Sequence, residues 1–229
     1  MSVPSSLRRV AAAAVSPIKT FRRSRALGKA YKRSQALSEQ GREAEAIAYA
    51  ETALELTVEA VGPDDGHTAA RLNDLAELHR SLRDYAAAEP LYRQALATFE
   101  KVLGPEHPDV AEVLNNLASL HRERGDPDMA EPLFRRALGI FEKTLGSDHT
   151  DVAVSLYNLA KIYEARGVEA LAESFYRRAI AIWERGQDPE DPGLVSWLRD
   201  YARLLRRTER IDLARSMEAR AAAIEGKSR

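Results

Sequence analysis

The sequence predicts an all-α solenoid of about five helix–turn–helix units, and three observations carry that prediction. The chain of 229 residues repeats itself every 42. Gly62, Gly104 and Gly146 fall in one column, Leu72, Leu114, Leu156 and Leu198 in a second, and Ala76, Ala118, Ala160 and Ala202 in a third. Within a unit the apolar residues have helical spacing: Leu114, Leu117, Ala118 and His121 lie at i, i+3, i+4 and i+7, one face of an α-helix. Gly125-Asp126-Pro127 then breaks that helix and starts another, with Asp126 as N-cap and Pro127 in the first turn.

The elements follow in order along the chain. Residues 1–25 form a basic segment ahead of the solenoid. The stretch 1–38 holds nine of the 34 Lys and Arg residues and none of the 35 acids, so residues 39–229 carry 25 basic and 35 acidic residues. Three readings stay open for this segment: a flexible leader, a basic amphipathic helix on an anionic membrane or nucleic acid, and a transit peptide. The first solenoid helix is expected from about Ala26, and the units lie near 29–66, 71–104, 110–146, 152–186 and 194–225. The first is atypical, with Ala30, Arg33 and Ser34 replacing the leucine and alanine columns while Ala46 and Ala53 keep theirs.

In the central units the second helix carries Ala130, Leu133, Phe134, Ala137, Leu138 and Phe141 on one face, and Gly146 ends it. Alanine columns (Ala46, Ala88, Ala130, Ala172, Ala214; Ala53, Ala95, Ala137, Ala179, Ala221) mark where helices cross closely. Tyr92, Phe134 and Tyr176 form one aromatic column, and Phe99, Phe141 and Trp183 a second. A lone pair would leave its apolar face in water, so neighbours must stack. In the last unit Glu218 stands in the first aromatic column, as a cap residue would. Residues 226–229 are expected to fray.

Leu114, Leu117, Ala118, His121, Ala130, Phe134 and Ala137 have the spacing of the tetratricopeptide repeat. With the longer period and the turn Gly-x-x-His-x-x-Val-Ala, "GPEHPDVAEVLNNLA" and "GDPDMAEPLFRRAL" resemble the long-period repeats of kinesin light chains over about residues 29–225. The resemblance implies a right-handed α–α superhelix whose first helices line a concave, peptide-binding side.

Composition excludes much else. Zero cysteines rule out disulfides and thiolate metal sites. No run of about 18 apolar residues predicts a membrane span, and Val10–Val15 is too short for a secretory signal core, so the cytoplasm is the expected compartment. Nucleotide-binding and hydrolase motifs are missing. His107 and His149 read as turn and helix-start residues, and His79 and His121 as packing residues shared with the Tyr163 column. No enzyme, cofactor, metal or small-molecule substrate is expected.

What remains is a surface for a protein or linear peptide. Its expected floor is Asn73, Asp74, Glu77 and Arg80, then Asn115, Asn116, Ser119 and Arg122, then Tyr157, Asn158, Lys161 and Glu164, then Arg199, Asp200, Arg203 and Arg206. Carboxamides offer a donor and an acceptor to an extended backbone, and asparagine has no propensity reason to recur in a helix. The competing reading is that asparagine only solvates the helix face. The basic members point to acidic peptides, a signal that Glu77, Glu112 and Glu164 dilute. The carboxylate-clamp pattern of chaperone-binding members is unmatched at Ser119 and Lys161. An adaptor acting through residues 1–25, or the sensor part of a larger signalling system, is the alternative function.

Overall fold

The computed structural model describes residues 17–186 and 190–227, with side chains from residue 24 onward. Among them lie ten α-helices and no strand: α1 (Pro17–Glu39), α2 (Glu43–Val61), α3 (Gly66–Ser81), α4 (Tyr85–Leu103), α5 (Pro108–Arg124), α6 (Pro127–Thr144), α7 (Thr150–Ala165), α8 (Glu169–Gly186), α9 (Leu194–Arg207) and α10 (Ile211–Lys227). They pair into five hairpins, and each hairpin packs on the next.

The repeat columns become the core. All the alanines of the three crossing columns are buried, as are Tyr92, Phe134 and Tyr176. Small side chains at the crossings let the axes approach to about 8–10 Å, and leucines and aromatics fill the space beside them. Two differences from expectation lie at the ends. Helix α1 begins at Pro17 rather than near Ala26, so it takes in the last part of the basic segment. Helix α10 runs through Gly226 to Lys227, where fraying was expected. The open readings of residues 1–25 concern mostly residues outside those described. No helix among the described residues is long and apolar enough to cross a membrane.

The turns follow the same period. Inside each hairpin one residue adopts positive φ: Gly41 (69°), Arg83 (60°), Gly125 (92°), Gly167 (73°) and Glu209 (61°). Three glycines take this conformation at little cost; Arg83 and Glu209 carry a side chain there. His107 and His149 cap α5 and α7, accepting the backbone N–H of Asp109 and Asp151 on Nδ1 at 3.2 and 3.3 Å. Asp126 stands at the N-cap of α6 without a cap hydrogen bond. Its Oδ2 instead accepts from Arg124 Nε at 2.7 Å, a charge-assisted bond that outcompetes the cap.

First helices of neighbouring units touch directly, α3 against α5 and α5 against α7, a contact the second helices do not match. The first helices therefore crowd the inner side of the curve. Across the wider outer side long ion pairs span the gap. Arg136 meets Glu100 at 2.7 Å, Arg178 meets Glu142 at 2.5 Å, and Arg220 meets Glu184. A second ladder ties the ends of α4, α6, α8 and α10 to the turn before the first helix of the same hairpin: Lys101 to Asp64, Lys143 to Glu106, Arg185 to Asp148 and Lys227 to Glu190. Each exposed pair contributes about 0–1 kcal/mol, so the ladders tune register more than stability.

Candidate functional site

The inner helices bring the expected floor residues into one surface, but they do not all face outward. Asn73, Asn115 and Asn158 are buried, because the first helices are in contact and their floor side chains sit between neighbours. Asn115 Nδ2 donates to Ser155 Oγ at 2.9 Å, and that hydroxyl lies 3.2 Å from Asn115 Oδ1 and 2.9 Å from the Asp151 carbonyl. Asn116 Nδ2 donates to Asn73 Oδ1 at 3.1 Å, and Asn73 Nδ2 reaches Glu112 at 3.4 Å. These carboxamides hold adjacent units in register. Asn158 differs: the residue is only 7% exposed, yet its side chain makes no hydrogen bond among the described residues.

Most of the basic members are committed internally. Arg80 pairs with Glu77 and Glu123. Lys161 lies 3.3 Å from Asp200, which also accepts from Tyr157 Oη at 2.5 Å. Arg203 bonds Glu164 at 3.2 Å and Asp200 at 2.8 Å, and Arg199 pairs with Glu225 at 2.7 Å. Burial would raise the Asp200 carboxyl, but the Tyr157 hydroxyl, Lys161 and Arg203 outweigh it and hold it below the usual range. Arg122 is the exception, with Glu123 at 3.5 Å and a buried Nε lacking an acceptor. The floor cations therefore offer little free charge for an acidic ligand.

Two cavities open along the inner face. One, of about 390 Å³, lies between α1, α2, α3 and α5 and is lined by Tyr31, Arg71, Asn73, Asp74, Glu112 and Asn116 among others. The next, of about 460 Å³, lies between α5 and α7 and includes Asp109, Glu112, Asn116, Ser119, Asp151 and Asn158, with Phe141, Leu145 and Val154 as apolar wall. They share Glu112 and Asn116, so they adjoin along the inner face, and the two together are called the trough. A third, of about 620 Å³, lies on α9 beside Arg199, Asp200 and Arg203. Although Glu112 is exposed as a residue, partial desolvation of its carboxyl raises it above its ordinary value, and the like charges of Asp109, Asp74 and Asp151 raise it further. Burial also raises Asp74, against the pull of Arg71 at 2.9 Å. In the sequence Glu112 dilutes the basic charge of the floor, and the signal that marks it is its departure from the column Gly28, Ala70, Val154 and Ser196.

His121 is buried and its pKa is lowered by that burial, in keeping with a packing role. Among the described residues no group of three His, Cys, Asp or Glu could hold a metal ion.

Comparison with known proteins agrees with this architecture. The tetratricopeptide repeat model matches residues 25–101, 72–143, 109–181 and 151–224. No curated protein matches the sequence. Among solved structures, the kinesin light chain nearly identical TPR-like repeats of Podosopora anserina align with a TM-score of 0.69 at 23% identity, over 90% of this chain and 98% of that one. BtubC (BKLC) from P. vanneervenii aligns with a TM-score of 0.67 at 20% identity, over 91% and 90%. Aspartyl phosphate phosphatase F of Bacillus subtilis reaches 0.74 at 16% identity, over 89% of this chain and 51% of its own. At these identities the likeness is one of fold.

Proposed function

The chain belongs to the tetratricopeptide repeat family, and from that premise we propose that it is a non-enzymatic protein-interaction scaffold, acting in the cytoplasm, that binds an extended segment of a partner protein along its inner face. The observation that carries this reading is the trough. It extends from α1 to α7 as two adjacent cavities that share Glu112 and Asn116 in their linings. An extended chain suits it, because an extended backbone advances about 3.3 Å per residue and presents donors and acceptors along its whole length. Asn116, Ser119 and Asn158 line the stretch between α5 and α7, where carboxamides and a hydroxyl can pair with such a backbone.

The test begins with a partner isolated on the immobilised chain and titrated in solution. Ser119→Trp fills the cavity between α5 and α7 from a partly exposed position, so it should weaken that partner about tenfold or more. Gln94→Trp, on an exposed outer position of α4, should leave affinity unchanged. Equal affinities for the wild type and Ser119→Trp would move the binding surface off the inner face.

A further inference from the structure

We propose that the part of the trough between α5 and α7 is a receptor for a cationic side chain, an arginine or lysine of the bound segment, whose backbone is held by Asn158. This inference rests on the inner-face reading above. Three observations carry it. Most other carboxylates along the first helices have cations: Asp74 has Arg71, Glu77 and Glu123 have Arg80, and Asp200 and Glu164 have Arg203, whereas Glu39 at the α1 end has no ion pair among the described residues. Among the described residues Glu112, Asp109 and Asp151 have no lysine or arginine at ion-pair distance. His107 and His149 do lie 3.7 and 3.3 Å from Asp109 and Asp151. Their Nδ1 atoms, however, accept backbone N–H groups and so have no proton to offer these carboxylates.

The second observation is positional. Asp109 and Asp151 stand in the first turns of α5 and α7, where the helix dipole favours an acid. That explanation does not extend to Glu112, which lies a turn further on and breaks a column otherwise made of Gly28, Ala70, Val154 and Ser196. Glutamate suits an exposed helical position, so what sets Glu112 apart is that its column holds no charge in the other units. The third is Asn158. Asn158 is largely buried as a residue, its side chain makes no hydrogen bond among the described residues, and it lines this same cavity, so its carboxamide is open to a donor or acceptor that enters there. Aspartates and a glutamate beside it select positive charge, and Phe141, Leu145 and Val154 suit the aliphatic stem of a long basic side chain.

The experiment uses the whole chain, immobilised, and a phage-displayed library of random 12-residue peptides; recovered sequences are synthesised and titrated. The expected result is enrichment of Arg or Lys at one position. Replacing that residue by Gln, or Glu112→Gln in the protein, should each weaken binding about tenfold, and the two together no more than either alone, because both remove one charge-assisted contact. Asn158→Ala should weaken the basic peptide and its Gln counterpart alike. Recovery of neutral or acidic peptides that Ser119→Trp blocks and Glu112→Gln leaves untouched would overturn this inference while the inner-face reading stood. Recovery of no peptide, or only of peptides indifferent to Ser119→Trp, would overturn both.

Discussion

At the scale of single residues, the asparagines of the inner face divide by what they touch. Asn115 spends its carboxamide on Ser155, whereas the Asn158 side chain makes no hydrogen bond among the described residues. Asn115→Ala removes those bonds from a buried site and should cost about 1–2 kcal/mol in chemical denaturation. Asn158→Ala removes no bond and should change stability by under about 0.5 kcal/mol. Equal losses would mean that Asn158 has a structural role. The column itself was legible in the sequence, since asparagine recurs where helix propensity gives no reason for it. Its internal use was not. The partners of Asn115 and Asn116 stand 40 and 43 residues away, and only the contact between first helices makes both into register bonds while Asn158 is left facing the trough.

At the scale of the helical hairpin, the sequence showed nearly everything that depends on spacing and little that depends on a backbone angle. The apolar faces, the alanine crossings and the break at Gly125 follow from periodicity alone. That the same turn recurs at Arg83 and Glu209 did not show, because neither residue is a turn former; their positive φ is imposed by the two helices that close on either side. An L-residue in that region pays about 1 kcal/mol or more, against the smaller entropic cost of glycine. Arg83→Gly should therefore raise the stability of the α3–α4 hairpin by about 0.5–1 kcal/mol, read as a higher thermal midpoint. The Arg83 side chain is exposed, so no core contact is lost. A lower midpoint would show that the arginine stabilises the turn by more than its backbone strain costs.

At the scale of the whole molecule, a solenoid is as strong as its successive interfaces, since each unit meets only its neighbours. The first unit is built from smaller parts. Where the central units bury Tyr92 and Phe99, or Phe134 and Phe141, the first buries Ala50 and Thr57 at the same columns. An aromatic-to-alanine change in a core costs about 3–5 kcal/mol, so two absent rings leave α1 and α2 much less firmly held. Leu37, Ala46 and Ala50 gather with Leu75 and Leu78 in a small cluster that meets the core running through Ala69 to Ile224 by way of Leu54 and Leu91. The last unit also lacks both aromatics, having Glu218 and Glu225 in those columns. It is bolted on instead by Trp197, stacked on Tyr157 at 4.5 Å and against Trp183 at 4.8 Å. Native-state hydrogen exchange should therefore find the amides of α1 and α2 opening first, α9 later, and α5 to α7 last. Because α1 supplies Tyr31 and Gln35 to the first cavity, the same opening would widen one end of the trough while the Glu112 end stayed shut. Uniform protection from α2 to α8 would show instead that the chain opens as a single cooperative unit, and that the missing aromatics are compensated elsewhere in the first hairpin.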